Sequence, residues 1–158
     1  MRITQAEIRD AEAILSLQQL AYQSEAILYN DFTLPPLTQT LESITADFEQ
    51  QVFLKAIIDG SIIGSVRAYQ EQGTCHIGRL IVRPEYQGQG VGSRLIQRIE
   101  QEFDGADRYE LFTGHKSTRN IRFYEKRGYH LFRTEKLKPG LSLVYLEKKA
   151  NPAPSGRY

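Results

Sequence analysis

The chain has 158 residues, 41% of them apolar and 25% charged, with a net charge of +1. That is long enough to bury one substantial core, and too close to neutral for nucleic acid to be the expected partner. No run approaches the roughly 20 consecutive apolar residues of a membrane span, and the first residues lack a signal-like apolar stretch, so neither a membrane partner nor export is expected.

In chain order, residues 2–5 read as a short strand. Asp10 is expected to cap a helix over residues 11–24, with Ile14, Leu17, Leu20 and Ala21 on one stripe. Residues 25–38 read as irregular, because Asn30-Asp31 and Pro35-Pro36 punctuate them. A second helix follows to about residue 50, with Leu41, Ile44 and Phe48 at helical spacing. Residues 52–58 and 62–71 are strands joined at Asp59-Gly60, a strong hairpin signal. The next strand covers 74–82 and is reached through Gln72-Gly73. The single cysteine, Cys75, falls on it and reads as a buried, inert thiol. One cysteine excludes an internal disulfide and suits a reducing, cytoplasmic compartment. A helix over 91–103 places Val91, Leu95, Ile99 and Phe103 on one face. Residues 108–113 form a strand, 120–127 a short helix ended by Gly128, and 129–137 with 141–148 a final hairpin around Pro139-Gly140. The pattern predicts an α+β (mixed α/β) domain over residues 1–149 and an extended tail over 150–158.

The most informative stretch is Gln87-Gly88-Gln89-Gly90-Val91-Gly92. It stands directly after the apolar run Leu80-Ile81-Val82 and directly before an amphipathic helix. Glycine lets backbone N–H groups approach an anion, and the first N–H groups of a helix have no internal partner and carry the positive end of its dipole. The loop is not a P-loop, since Gly92 is followed by Ser93-Arg94. It is not the dinucleotide fingerprint either, since its spacing is G-x-G-x-G.

The pattern that fits is Q/R-x-x-G-x-G/A, running from Gln87 through Gly90 to Gly92. With Val82-Arg83-Pro84-Glu85-Tyr86 before it, it resembles the acetyl-CoA loop of the GNAT-type N-acetyltransferases. A second segment, Asn120-Ile121-Arg122-Phe123-Tyr124-Glu125-Lys126-Arg127-Gly128-Tyr129, resembles that superfamily's N-x-x-x-x-Y-x-x-x-G-F/Y motif. The pair stands about thirty residues apart, in the family's order. The resemblance implies a central, mostly antiparallel twisted sheet of six to seven strands with flanking helices. It also implies a central parallel pair that splays beyond about Leu80 and Leu111.

The same resemblance implies a ligand and a set of site residues. Acetyl-CoA is the expected co-substrate. Its pantetheine arm would meet Leu80, Ile81, Val82 and Asn120, with the N–H of Ile81 or Val82 polarising the thioester carbonyl. Its diphosphate would rest on Gln87, Gly88, Gln89, Gly90, Val91, Gly92 and Ser93. Arg83, Lys116, Arg119 and Arg122 are candidates for its 3′-phosphate end. Tyr124 would lie near the sulfur and act as general acid. The expected reaction is direct attack by a primary amine on the acetyl thioester. An amine with a pKa near 10 is protonated at neutral pH, so a proton acceptor is needed. Candidates are His76, Glu25, Tyr29, Glu110 and His115, and His76 is the catalytic choice because its ordinary pKa suits the task. The acceptor side is expected to draw on Tyr22, Glu25, Tyr29, Asp31 and Phe32, with Glu25 and Tyr29 binding the substrate. A small amine or amino-acid-like metabolite and a protein amine both fit. Three histidines and one cysteine show no ligand spacing, so no metal is expected. A homodimer stays open. A non-catalytic acyl-CoA-binding module or sensor is the alternative reading.

Overall fold

A computed structural model describes residues 1–150. The expected tail falls almost entirely on 151–158, outside the described residues. Seven strands form one mixed sheet: β1 (Arg2–Gln5), β2 (Val52–Ile58), β3 (Ser61–Glu71), β4 (Thr74–Val82), β5 (Arg108–Gly114), β6 (His130–Lys138) and β7 (Leu141–Lys149). Their order is β1-β2-β3-β4-β5-β7-β6, and every neighbouring pair is antiparallel except β4 and β5. Two of the tight turns have the predicted chemistry. Asp59-Gly60 (φ 51° and 78°) and Gln72-Gly73 (φ 49° and 81°) each place two consecutive residues at positive φ, as two-residue hairpins between twisted strands require.

Among the described residues six α-helices flank the sheet: α1 (Ala11–Ala21), α2 (Gln23–Tyr29), α3 (Pro35–Thr38), α4 (Leu41–Gln50), α5 (Val91–Glu102) and α6 (Thr118–Glu125). On one face α5 buries Val91, Leu95, Ile96 and Ile99 against Leu54, Val66, Ile77 and Leu111. Each such side chain contributes roughly 1.5–3 kcal/mol. On the other face Ile14 of α1, Ile44 of α4 and Phe53 of β2 form a second cluster, with Phe48 stacked on Phe53 at 3.9 Å. No helix among the described residues is long and apolar enough to cross a membrane.

Three expectations need correction. Asp10 does not cap α1; its carboxylate accepts the Glu7 N–H (2.8 Å) and pairs with Lys55 (2.7 Å), an ion pair formed 45 residues away in sequence. The segment 25–38 is not irregular throughout. The helix predicted over 11–24 breaks at Tyr22, and α2 then runs to Tyr29, where Asn30 takes a left-handed conformation (φ 49°) and ends it. Long-range bonds from Glu25 and Tyr29 to Ser117 hold this short helix, and its own pattern is too brief to announce it. Finally, the strands part earlier than Leu80. Pairing between β4 and β5 stops at His76↔Glu110, whereas β5 stays on β7 as far as Gly114↔Leu143. The cause is a bulge on β4. The β3–β4 register slips between Ser65 and Arg67, and Arg79 adopts φ 50°. A bulge bends its strand and breaks the ladder, so β4 swings away from β5 and a wedge opens between them.

Candidate active site

A cleft of about 690 Å³ lies in this wedge and runs over the N-terminus of α5. Its β4 wall is Leu80, Ile81 and Val82. Past the bulge, the Arg83 N–H bonds the Ile63 carbonyl (2.8 Å) and Ile81 sits opposite Ser65. Main-chain polar groups alternate sides along a strand, so those of Leu80 and Val82 point away from β3, into the wedge. One detail of the expected site changes as a result. The N–H groups that face the wedge are those of Leu80 and Val82, and that of Ile81 is directed at β3.

The floor is the glycine loop. Gly90 is the residue before α5 and has φ 87°, a conformation costly to any residue with a Cβ. No side chain caps α5, and its first internal bond runs from the Arg94 N–H to the Gly90 carbonyl (3.1 Å). The amides of Val91, Gly92 and Ser93 therefore have no helical partner and meet at the positive end of the dipole. Gly88, Gly90, Val91, Gly92 and Ser93 all line the cleft, as does Gln87, whose side chain donates to the Val82 carbonyl (3.2 Å). Gln89 turns outward and donates to the Glu85 carbonyl (3.1 Å).

Arg127 closes this end. Its Nε donates to Ser93 Oγ (3.3 Å), its Nη1 to the Phe123 carbonyl (2.7 Å), and its guanidinium lies 3.6 Å from the Phe123 ring centre. Burial lowers its pKa, with the Tyr124 phenol opposing, and it still carries its charge at neutral pH. Nothing in the sequence pattern singled Arg127 out. Of the cations proposed for a 3′-phosphate, Lys116 and Arg119 line the cleft, while Arg83 and Arg122 do not.

The opposite wall is α6. It ends with Gly128 at φ 94°, where the Gly128 N–H bonds the Glu125 carbonyl (3.1 Å) and the Tyr129 N–H bonds the Tyr124 carbonyl (3.1 Å), a Schellman closure. Tyr124 lines the cleft, and its hydroxyl has no hydrogen-bond partner among the described residues. Burial raises its pKa well above that of an ordinary phenol, and the nearby Tyr22 and Glu25 add to the effect against Arg127. At neutral pH the group is a proton donor aimed at open space.

From α2, Glu25 lines the cleft, whereas Tyr29, expected to bind substrate, does not line it and braces the Lys116–Ser117 junction behind it. Tyr29 Oη accepts the Lys116 N–H (2.9 Å) and stands 2.8 Å from Ser117 Oγ; Ser117 donates to Glu25 Oε2 (2.7 Å). Since Ser117 gives its one proton to Glu25, the Tyr29 hydroxyl donates to Ser117. Asn120 Nδ2 donates to Glu25 Oε1 (3.1 Å) and to Thr113 Oγ1 (3.3 Å). Asn120 lines the cleft, but its amide serves to position Glu25. Ser117 was given no role by the sequence, although a serine directly before a helix is a recognisable signal.

His76 does not join this group. It lies where β4 and β5 are still paired, stacked on Tyr69 (4.9 Å between ring centres) and 3.8 Å from Glu110, and it does not line the cleft. His115 Nδ1 accepts the Ser142 N–H (3.0 Å), a bond that ties β7 to the end of β5.

The architecture and both motifs agree with a family model. Residues 12–129 match the model of the acetyltransferase (GNAT) family. The chain belongs to that family. It is 27% identical over 133 residues to the UPF0157 protein YqkA of Bacillus subtilis, a match covering 84% of this chain and 38% of that protein. The chain spans about two fifths of the length of the curated relatives it matches. Its fold is shared with the ribosomal-protein-S18-alanine N-acetyltransferase of Escherichia coli (TM-score 0.80, 16% identity, 99% of this chain and 98% of that one). It is also shared with the PaiA N-acetyltransferase of Thermoplasma acidophilum solved with coenzyme A (TM-score 0.70, 20% identity, 94% and 98%). In this GNAT chain the wedge between β4 and β5, the α5 N-terminus and α6 together form one continuous cleft.

Proposed function

We propose that this GNAT protein transfers the acetyl group of acetyl-CoA to a primary amine. The observation that carries the reading is the junction of an uncapped, glycine-led helix N-terminus with an opened strand whose main-chain groups face the same cleft. The fit is physical. Gly88 and Gly90 leave open space where a Cβ would stand, so a diphosphate can reach the amides of residues 88–93. The Leu80 and Val82 main chain can pair with the amides of a pantetheine arm as a neighbouring strand would. A solved GNAT structure with coenzyme A bound supports the ligand class.

Acetyl-CoA supplies an activated acyl group: an amine N–C bond forms, the acyl C–S bond breaks, and sulfur leaves as the thiol with one proton. Tyr124 offers its O–H to that sulfur, and its raised pKa keeps the proton in place until the sulfur gains charge. A Leu80 or Val82 N–H stabilises the carbonyl oxygen as negative charge builds there. Glu25, held by Ser117 and Asn120, faces the cleft as a fixed negative charge for a cationic acceptor. The acceptor's ammonium gives a proton to water before the neutral amine attacks, and His76, outside the cleft, takes no part.

Calorimetry with acetyl-CoA and CoA, followed by thiol release with an amine panel, tests the reading. Binding in the micromolar range and amine-dependent thiol release are expected. Binding with no thiol release for any amine would favour an acyl-CoA sensor, and no heat at millimolar ligand would remove the coenzyme from the site.

A further inference from the structure

Two opposite charges line the cleft at opposite ends of α6. Glu25 is fastened beside the start of that helix by Ser117 and Asn120. Arg127 stands just past its end and lines the cleft with Gly92, Ser93 and Phe123. The two form no ion pair with each other, nor with any other charged side chain among the described residues. Glu25 has each oxygen met by a neutral donor. Arg127 is a half-buried cation that no carboxylate of the chain compensates, and the burial lowers its pKa.

Three contacts hold the guanidinium in place. Nε donates to Ser93 Oγ (3.3 Å), Nη1 donates to the Phe123 carbonyl (2.7 Å), and the guanidinium carbon lies 3.6 Å from the centre of the Phe123 ring. The edge of that ring touches the first turn of α5, since a Cβ at Gly92 would meet its Cζ at 3.4 Å. Phe123 thus carries the guanidinium against the end of α5 where the amides of Val91, Gly92 and Ser93 have no helical partner. The bonds to Ser93 and Phe123 leave Nη2 with no partner among the described residues. A fixed, partly desolvated cation with an unused N–H group is completed by an anion from outside the chain.

Building on the acetyl-CoA reading, we propose that Arg127 grips the diphosphate of the coenzyme from the side opposite the α5 amides. The amides supply oriented donors at a helix N-terminus, and Arg127 supplies a full positive charge that the loop itself lacks. Lys116 and Arg119, which line the cleft as well, are left for the 3′-phosphate. The carboxylate of Glu25, at the far end of α6, stays free for the acceptor's amine.

The test is calorimetry with CoA and with 3′-dephospho-CoA, which keeps the diphosphate and lacks the other phosphate. Arg127→Gln is expected to lose at least about tenfold in affinity, the scale of one charge-assisted bond, and by the same factor for both ligands. Arg127→Lys should recover part of that loss, because it keeps the charge while giving up the bonds to Ser93 and Phe123. Should the Gln variant not fold, the Lys variant decides, with an expected loss of about threefold for both ligands. The proposal is overturned if the deciding variant binds both ligands as wild type does. It is also overturned if the loss is confined to CoA, which would give Arg127 to the 3′-phosphate, or if a folded Gln variant binds no worse than the Lys variant, which would make Arg127 a brace between α5 and α6. Absence of CoA binding to the wild type would instead defeat the underlying acetyl-CoA reading.

Discussion

Tyr124 and Gly90 show how single positions are committed by their surroundings. Burial holds the Tyr124 phenol protonated far beyond neutral pH, and its hydroxyl has no internal acceptor among the described residues. Tyr124→Phe removes one oxygen from a cleft wall and leaves the ring packing on Phe123 (5.3 Å) and Tyr129 (5.9 Å). Steady-state kinetics should show kcat falling about 10- to 100-fold, the lower range of general acid catalysis, with little change in the KM for acetyl-CoA. An unaltered kcat would return Tyr124 to packing. Gly90→Glu sets a carboxylate beside the α5 N-terminus and forces a Cβ onto a residue at φ 87°. Calorimetry should find CoA affinity lost in a protein that still melts cooperatively. Retained affinity would place the diphosphate elsewhere.

At the scale of elements, α2 is held by its neighbours rather than by its own propensity. Seven residues are too few for a stable isolated helix. Tyr29 and Glu25 fasten it to the β5–α6 junction, and its last turn closely approaches Gly114: a Cβ there would collide with the Tyr29 ring, 3.0 Å from Cε2 and closer still to Oη. Gly114→Ala should therefore push α2 off the end of β5 at a cost of about 1–3 kcal/mol, the usual range for overpacking. Chemical denaturation measures the cost, and the KM for the acceptor should rise more than that for acetyl-CoA. Equal stability and unchanged kinetics would mean that α2 docks through other contacts. The β4 bulge acts on the same scale, because one slipped register turns a closed ladder into a wedge.

For the whole molecule, the two cores brace the parted sheet from opposite faces, and acid should loosen one of them first. Burial pushes the Asp10 carboxyl upward, but the Glu7 N–H and Lys55 more than offset it, so its pKa in the folded protein lies below the ordinary 3.8. A depressed folded pKa stabilises the protein above the unfolded value, and the benefit disappears as pH falls through the folded value. Urea titrations of wild type and Asp10→Asn should differ by a constant amount near neutrality and converge as the pH falls below the ordinary carboxylate range. A gap that persists in strong acid would assign the effect to packing. Cys75 gives a second global probe. Burial, with the Glu100 charge behind it, pushes its thiol up to about 12. At pH 8 a thiol reagent should leave the native protein unlabelled and react at the rate of global opening. Fast labelling of native protein would mean that β4 opens locally.

Much of this was legible in the sequence because it is local. Strand periodicity, positive-φ turn pairs and a glycine loop before an amphipathic helix are set by residues within a few positions of one another, and so are the two motifs that place Tyr124 and residues 87–93. Chain-distant contacts decided the rest. The extra turns of α2, the Glu25–Ser117–Asn120 bonds across more than 90 residues, the approach of Arg127 to Ser93 and the separation of His76 from the cleft all depend on which strands stay paired. That pairing is governed by a backbone bulge at Arg79, an arginine that no turn rule marks, because its strain is sustained by the charges and strands packed around it.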